Sequence, residues 1–202
     1  MNMITRTLVA AASLAALGAS ADAAPAFSGT FWDAPENSFA TIDDAISFAT
    51  SNTPTATFKS TSIAYGNAPG FTIPGLVDFL NADGGSVVGM DDGNIQESVF
   101  LLTGKTALTN GQDVTVTSDD GFRILLDGTL FEEFTGLRGP DSTTSTPFTG
   151  ATGVYDLTFW YFEGQPTQAQ LESNLAPVPV PAAGGLLLAA LAGTAALRRR
   201  KA

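Results

Sequence analysis

The chain has 202 residues, 20 of them acidic and nine basic, with a formal net charge of −11 and neither cysteine nor histidine. That length suits one ordinary domain once targeting segments are set aside. The missing cysteine excludes disulfides and thiol nucleophiles, and the missing histidine excludes serine–histidine catalysis and the usual zinc sites. The acidic balance makes nucleic acid a poor partner and divalent cations a suitable one.

Residues 1–24 read as a secretory signal: Arg6 is the positive start, Leu8 to Leu17 the apolar stretch, and Ala21-Asp22-Ala23 the small-x-small cleavage pattern. The export translocon and signal peptidase are its expected partners. Residues 25–176 then form the exported domain, with 19 acidic residues against Lys59, Lys105, Arg123 and Arg138, a formal charge of −15. Pro25 to Glu36, with Phe27, Phe31 and Trp32, reads as an opening strand or packed arm. From Ser38 to Ala49 the apolar positions Phe39, Ile42, Ala45, Ile46 and Ala49 follow helical spacing, and Asp43-Asp44 suit the N-terminal dipole. This is the one helix expected in the domain, stopped before Pro54.

Everything after it reads as β structure. Thr55 to Tyr65 is expected to be a strand, Phe71 to Leu80 is ambiguous around Pro74-Gly75, and Asn81 to Gln96 is a Gly/Asp-rich loop. Strand composition returns at Glu97 to Leu102 and again at Asp113 to Thr117. Phe122 to Asp127 puts Phe122, Ile124 and Leu126 on one face, and Asp127-Gly128 turns it into Thr129 to Phe134 as a hairpin. Thr135 to Gly153 reads as loop. Val154 to Phe162 places Tyr155, Leu157, Phe159 and Tyr161 on one face and Trp160 on the other. Many short strands separated by turns imply a mainly β, antiparallel sandwich.

Ala176 to Pro181 reads as a stiff linker, and residues 177–202 as a C-terminal sorting signal. Val178 to Leu197 is long enough to cross a bilayer as a transmembrane helix, about 20 residues at 1.5 Å each. Arg198, Arg199, Arg200 and Lys201 would stop it on the cytoplasmic side, leaving the domain outside. The motif Val178-Pro179-Val180-Pro181-Ala182, the apolar span and the basic end together resemble the PEP-CTERM class of sorting signals in its VPLPA variant. That resemblance implies an exosortase-like processing enzyme, with delivery to the cell surface or extracellular matrix. An ordinary permanent membrane anchor is the alternative.

A second resemblance covers residues 98–173. The Phe100-to-Gly104 strand, the turn Thr117-Ser118-Asp119-Asp120-Gly121-Phe122, the Asp127-Gly128 hairpin and Tyr161-Phe162-Glu163 together resemble the protective-antigen-type (PA14-like) β-sandwich, a jelly-roll fold of adhesins and glycosidases. In its sugar-binding members paired aspartates at this turn, joined by a cis peptide, hold calcium; the matching positions are Asp119 and Asp120. Calcium needs six to eight oxygens, so further ligands are expected from Asp91, Asp92, Asn94, Asn110 or Asp141. Read alone, Asp119-Asp120-Gly121 also suits a solvated turn. Trp160 is a candidate sugar-stacking surface or, more commonly, a covered core residue. Glu132-Glu133 is an unspecific candidate for half of a glycosidase carboxylate pair.

Three function classes follow. The first is a non-enzymatic surface or matrix protein binding extracellular polysaccharide through calcium. The second is a structural matrix component without a ligand, and the third a carboxylate-based glycoside hydrolase.

Overall fold

The computed structural model describes residues 24–66, 73–89 and 94–179. The signal up to residue 23, Asp91, Asp92, Val180, Pro181, Ala182, the apolar span and Arg198, Arg199, Arg200 and Lys201 lie outside the described residues. In chain order the elements are β1 (Phe27–Asp33), α1 (Ile42–Ser51), β2 (Ala56–Ser60), β3 (Ala64–Gly66), α2 (Leu76–Phe79), a 3-10 helix (Asn81–Ser86) and β4 (Val88–Gly89). There follow β5 (Ser98–Leu108), β6 (Asp113–Asp119), β7 (Phe122–Leu126), β8 (Thr129–Phe134), β9 (Thr143–Pro147), β10 (Gly153–Glu163) and β11 (Gln170–Ser173).

The strands form two antiparallel sheets, seven-stranded β4-β2-β1-β5-β10-β7-β8 and four-stranded β3-β11-β6-β9. Alternation in β5, β7 and β10 turns Phe100, Leu102, Ile124, Phe159 and Tyr161 inward, where they meet Tyr65, Val114, Val116 and Leu171 of the smaller sheet in one core. This is the antiparallel β-sandwich expected from the turn-punctuated strands. The Asp127-Gly128 hairpin also forms, with φ of 49° and 77° at its two residues, the signs a type I′ turn requires.

The outward face of the larger sheet is covered by α1. Ile42, Ala45 and Ala49 pack on Trp32, Val99 and Phe162, with Trp160 half-buried beside them. The helix begins at Ile42, three residues after the first position of its apolar pattern, Phe39, because Thr41 caps it. The Thr41 hydroxyl accepts from Asp44 N at 3.3 Å and Asp44 Oδ2 accepts from Thr41 N at 3.0 Å.

Three expectations are corrected. Thr55 to Tyr65 is two strands in different sheets, because the Asp83 carboxylate takes the Thr61 amide at 3.0 Å and its hydroxyl at 2.6 Å, breaking the ladder. The domain has more than one helix: α2 and the 3-10 helix occupy the stretch behind Pro74-Gly75. Within the supposed loop 135–153, β9 pairs with β6 from Asp113↔Pro147 to Thr117↔Thr143. Its sequence, TTSTP, has no apolar alternation because neither face is fully buried. No helix among the described residues is long and apolar enough to cross a membrane.

The linker also differs from a free spacer. Val178 N donates to Lys105 O at 2.9 Å, the Thr106 hydroxyl donates to Ala176 O at 3.0 Å, and Pro177 bridges Thr106. The segment lies along β5 just past Thr103, where pairing with β1 ends. Truncation after Leu175 removes both hydrogen bonds and is expected to cost about 1–3 kcal/mol. Thermal denaturation of the two chains checks this, with a lowering of roughly 2–12 °C expected.

Candidate metal centre

Three buried carboxylates gather where β6 ends, β7 begins and β10 runs out. The Asp119–Asp120 peptide is cis. Gly121 then carries the chain across, since a Cβ there would stand 2.5 Å from the Phe162 ring and 2.7 Å from Phe134 O. The turn is stitched to β10: Asp120 N donates to Phe162 O at 3.3 Å and Phe162 N to Gly121 O at 3.0 Å. The following residue, Glu163, is thereby brought to the aspartates. Asp119, Asp120 and Glu163 are 2%, 0% and 0% exposed, and one oxygen from each lies within 4.8 Å of the others.

Their partners are mostly backbone amides. Asp120 Oδ1 accepts from Arg138 N at 2.8 Å and its Oδ2 from Gly164 N at 3.0 Å, while Glu163 Oε1 accepts from Gln165 N at 2.9 Å. The Tyr161 hydroxyl donates to the Asp119 carbonyl and stands 3.1 Å from Glu163 Oε2. Asp119 Oδ1 is buried with no partner. Burial disfavours charge on all three groups. It pushes Asp119 up to about 7, helped by the neighbouring Asp120, and Glu163 up to about 10, again with Asp120 contributing. Asp120 is raised by the same burial, against the pull of its two amide donors.

An orphaned buried oxygen inside an all-oxygen donor set fits a hard divalent cation such as calcium. Asp119, Asp120 and Glu163 are the residues that would hold it.

Arg138 props the turn from behind. Its guanidinium donates to Ser118 O at 3.0 Å, Ser118 Oγ at 2.7 Å and Thr144 Oγ1 at 2.9 Å, and lies 4.6 Å from the Phe134 ring centroid. Arg138→Met takes the guanidinium donors away from Ser118 O, Ser118 Oγ and Thr144 Oγ1 and is expected to cost about 2–3 kcal/mol. Calorimetric unfolding checks it.

An open cleft of about 520 Å³ adjoins the cluster, lined by Asn37, Ser38, Phe39, Glu97, Gly164 and Gln165 among others. Glu97 is only 3% exposed, and its Oε2 accepts from Ser38 N at 3.0 Å and Phe39 N at 3.2 Å. Burial raises its pKa, and Asp120 adds to the effect.

Of the residues singled out from sequence, Asp119 and Asp120 come together. Trp160 packs on Trp32 with ring centroids 6.0 Å apart, in the α1-side cluster and not among the carboxylates. Asn94 Oδ1 accepts from Gln96 N at 3.0 Å. Asn110, offered as a ligand, is at the far end of the eleven-residue β5, about 30 Å along the strand. Its amide there donates to Thr149 O and Gly150 O. Asp141 is exposed, with its amide donating to Gln170 Oε1 at 2.8 Å. Glu133 is ion-paired with Arg123 at 2.6 Å, and Glu132 accepts from Thr146. Glu163 and Glu97 were not singled out. Glu163 was legible as the next inward position after Leu157, Phe159 and Tyr161; Glu97 carried no such signal.

The sequence matches no protein-family model and no curated protein. Among solved structures the fold is similar to the PA14 sugar-binding domain from an RTX adhesin, 25% identical, with a TM-score of 0.63 over 77% of this chain and 91% of that one. It is also similar to the PA14 domain of the MpAFP antifreeze protein, 19% identical, TM-score 0.62, over 78% of this chain and 83% of that one. The Epithelial Adhesin 6 A domain from Candida glabrata, solved in complex with Galb1-3GlcNAc, is 11% identical with a TM-score of 0.53, over 78% and 81%. The chain thus has a PA14-type β-sandwich fold.

Proposed function

We propose that the sandwich is a non-enzymatic, calcium-dependent carbohydrate-binding module of adhesin type, carried by an exported protein that is held at, or released from, the cell surface. The observation that carries this reading is the buried trio Asp119, Asp120 and Glu163, with Asp119 Oδ1 unpartnered, beside an open cleft. Likeness to a PA14 sugar-binding domain at 25% identity supports the choice of ligand class. Calcium supplies, when bound, coordination positions for a pair of sugar hydroxyls. The chain's own part is to hold three oxygen donors in a dry corner, fixed by the amides of Arg138, Gly164 and Gln165.

Delivery rests on the two ends of the sequence. The N-terminal signal would engage the translocon and signal peptidase, and the tail from Val178 an exosortase-like enzyme after passing through the membrane. Extracellular polysaccharide is the partner this assigns.

The test is retention of the full chain on immobilised polysaccharides with calcium and with chelator. Calcium-dependent retention is expected. Absence of retention on every polymer tried, with calcium present, leaves a structural sandwich instead. Delivery is checked separately by fractionating producing cells: the intact chain should reach the envelope or medium, and a chain lacking residues 1–24 should stay inside.

A further inference from the structure

We infer that Arg138 sets the charge of the metal centre from just outside it, lowering the formal charge of the ionised carboxylate trio from −3 to −2 and biasing the site toward divalent over trivalent ions. This rests on the calcium-binding reading above and adds a residue that governs which ion is taken.

The turn itself delivers the guanidinium to the centre. Its Nε donates at 3.0 Å to Ser118 O, the carbonyl of the peptide leading into Asp119, and its Nη2 donates to Ser118 Oγ at 2.7 Å. That hydroxyl in turn donates to Asp120 O. The backbone amide of Arg138 donates to Asp120 Oδ1 at 2.8 Å, so both parts of one residue are tied to the aspartate turn. Nη1 donates to Thr144 Oγ1 at 2.9 Å, and the group lies 4.6 Å and 5.3 Å from the Phe134 and Phe122 ring centroids.

Held in this way, the guanidinium supplies charge without filling a coordination position. Among the described residues the ion pairs are Lys105 with Asp156 and Arg123 with Asp43 and Glu133; Arg138 is in none of them, and Asp119 Oδ1 stays unpartnered. Its charge still reaches the aspartates. Burial raises the pKa of Asp119 and Asp120 adds to the rise, while Arg138 pulls against both; Asp120, raised by burial, is drawn down by Arg138 as well. Lys59 lines a different groove beside Thr57 and Ser86. The neighbouring buried acid, Glu97, has amide donors of its own from Ser38 and Phe39. With the three carboxyls ionised, the two charges of calcium therefore match the trio and its guanidinium together. Without the guanidinium one negative charge is left over, which a trivalent ion meets better.

The experiment titrates calcium and, separately, lanthanum, a trivalent oxygen-seeking ion of similar size, into the metal-free full chain at neutral pH. Arg138→Gln and Arg138→Lys are run alongside, and both keep the amide of residue 138. Loss of the planar fork weakens both variants and acts on the two ions alike, whereas loss of charge acts more on three ionic charges than on two. The lanthanum-to-calcium affinity ratio is expected to rise about tenfold in Arg138→Gln and to stay within about threefold of the wild type in Arg138→Lys. If Arg138→Gln is unfolded without metal, the concentration of each ion that half-folds it, read by circular dichroism, gives the same ratio. A ratio unmoved in Arg138→Gln, an equal rise in Arg138→Lys, or a variant that neither ion folds overturns the inference and leaves the calcium-binding reading standing. Failure of calcium to bind the wild type overturns both.

Discussion

Asp119→Asn is expected to abolish calcium binding while leaving the metal-free protein at least as stable as the wild type at mildly alkaline pH. The two effects have one origin. Without a cation, Asp119 carries an unpartnered oxygen in a nearly dry site, and burial holds its pKa at about 7. Above that pH the fold must bear a buried charge that Arg138 offsets only in part, and the amide removes it. With calcium the same oxygen is a ligand, and losing it should weaken affinity by more than the roughly 10–100-fold typical of outer-shell changes. At calcium about 100-fold above Kd, the wild type gains about 2.7 kcal/mol, and about 5–11 °C in Tm. The variant should gain almost nothing. An equal calcium shift in Asp119→Asn, read by scanning calorimetry, would remove Asp119 from the site.

Acidification should act in opposite directions on the two forms. Glu163 is raised to about 10 in the fold and Asp119 to about 7, both above the ordinary carboxylate values of 4.5 and 3.8. For a raised carboxyl the folded state holds its proton more tightly than the unfolded chain does. The stabilisation is therefore complete below the ordinary value and is lost as pH climbs through the folded one. Metal-free protein is accordingly expected to become less stable between about pH 5 and pH 9. Calcium must displace those protons, so its affinity should fall about tenfold or more per pH unit below about pH 7. The difference in Tm between calcium and chelator should widen with rising pH. A difference that stays constant over that window would mean that these carboxyls do not take up the metal.

How much of this was readable beforehand depended on whether the signal was local. The inward face of β10 and the β7–β8 hairpin rest on period-2 alternation and on Asp127-Gly128, properties of neighbouring residues. β9 was hidden because its half-exposed Thr and Ser side chains leave no pattern, and it is a strand only through its partner β6. Asp119 and Asp120 were singled out by resemblance to a known turn, whereas Glu163, 43 positions beyond Asp120, joins them through β10's two bonds to that turn. Trp160 illustrates the converse: its face was legible, but Trp32 and α1, which cover that face, come from over 100 residues earlier.

The route by which the chain leaves the sandwich also decides how it would bear force. Glu163 pairs with Ser98 at one end of the β5–β10 ladder, while Val178 is tied to Lys105, about 23 Å further along β5. While those ties hold, a pull between something held at the carboxylates and the chain at Pro179 runs lengthwise along two strands sharing eleven paired positions. Their hydrogen bonds lie across that direction and are loaded together, in shear, instead of one after another as in peeling. The short pairing of Ala176 to Val178 is the part that peels, and once it has gone the load passes to β11 and its pairing with β6 from Gln170↔Asp119 to Ser173↔Val116.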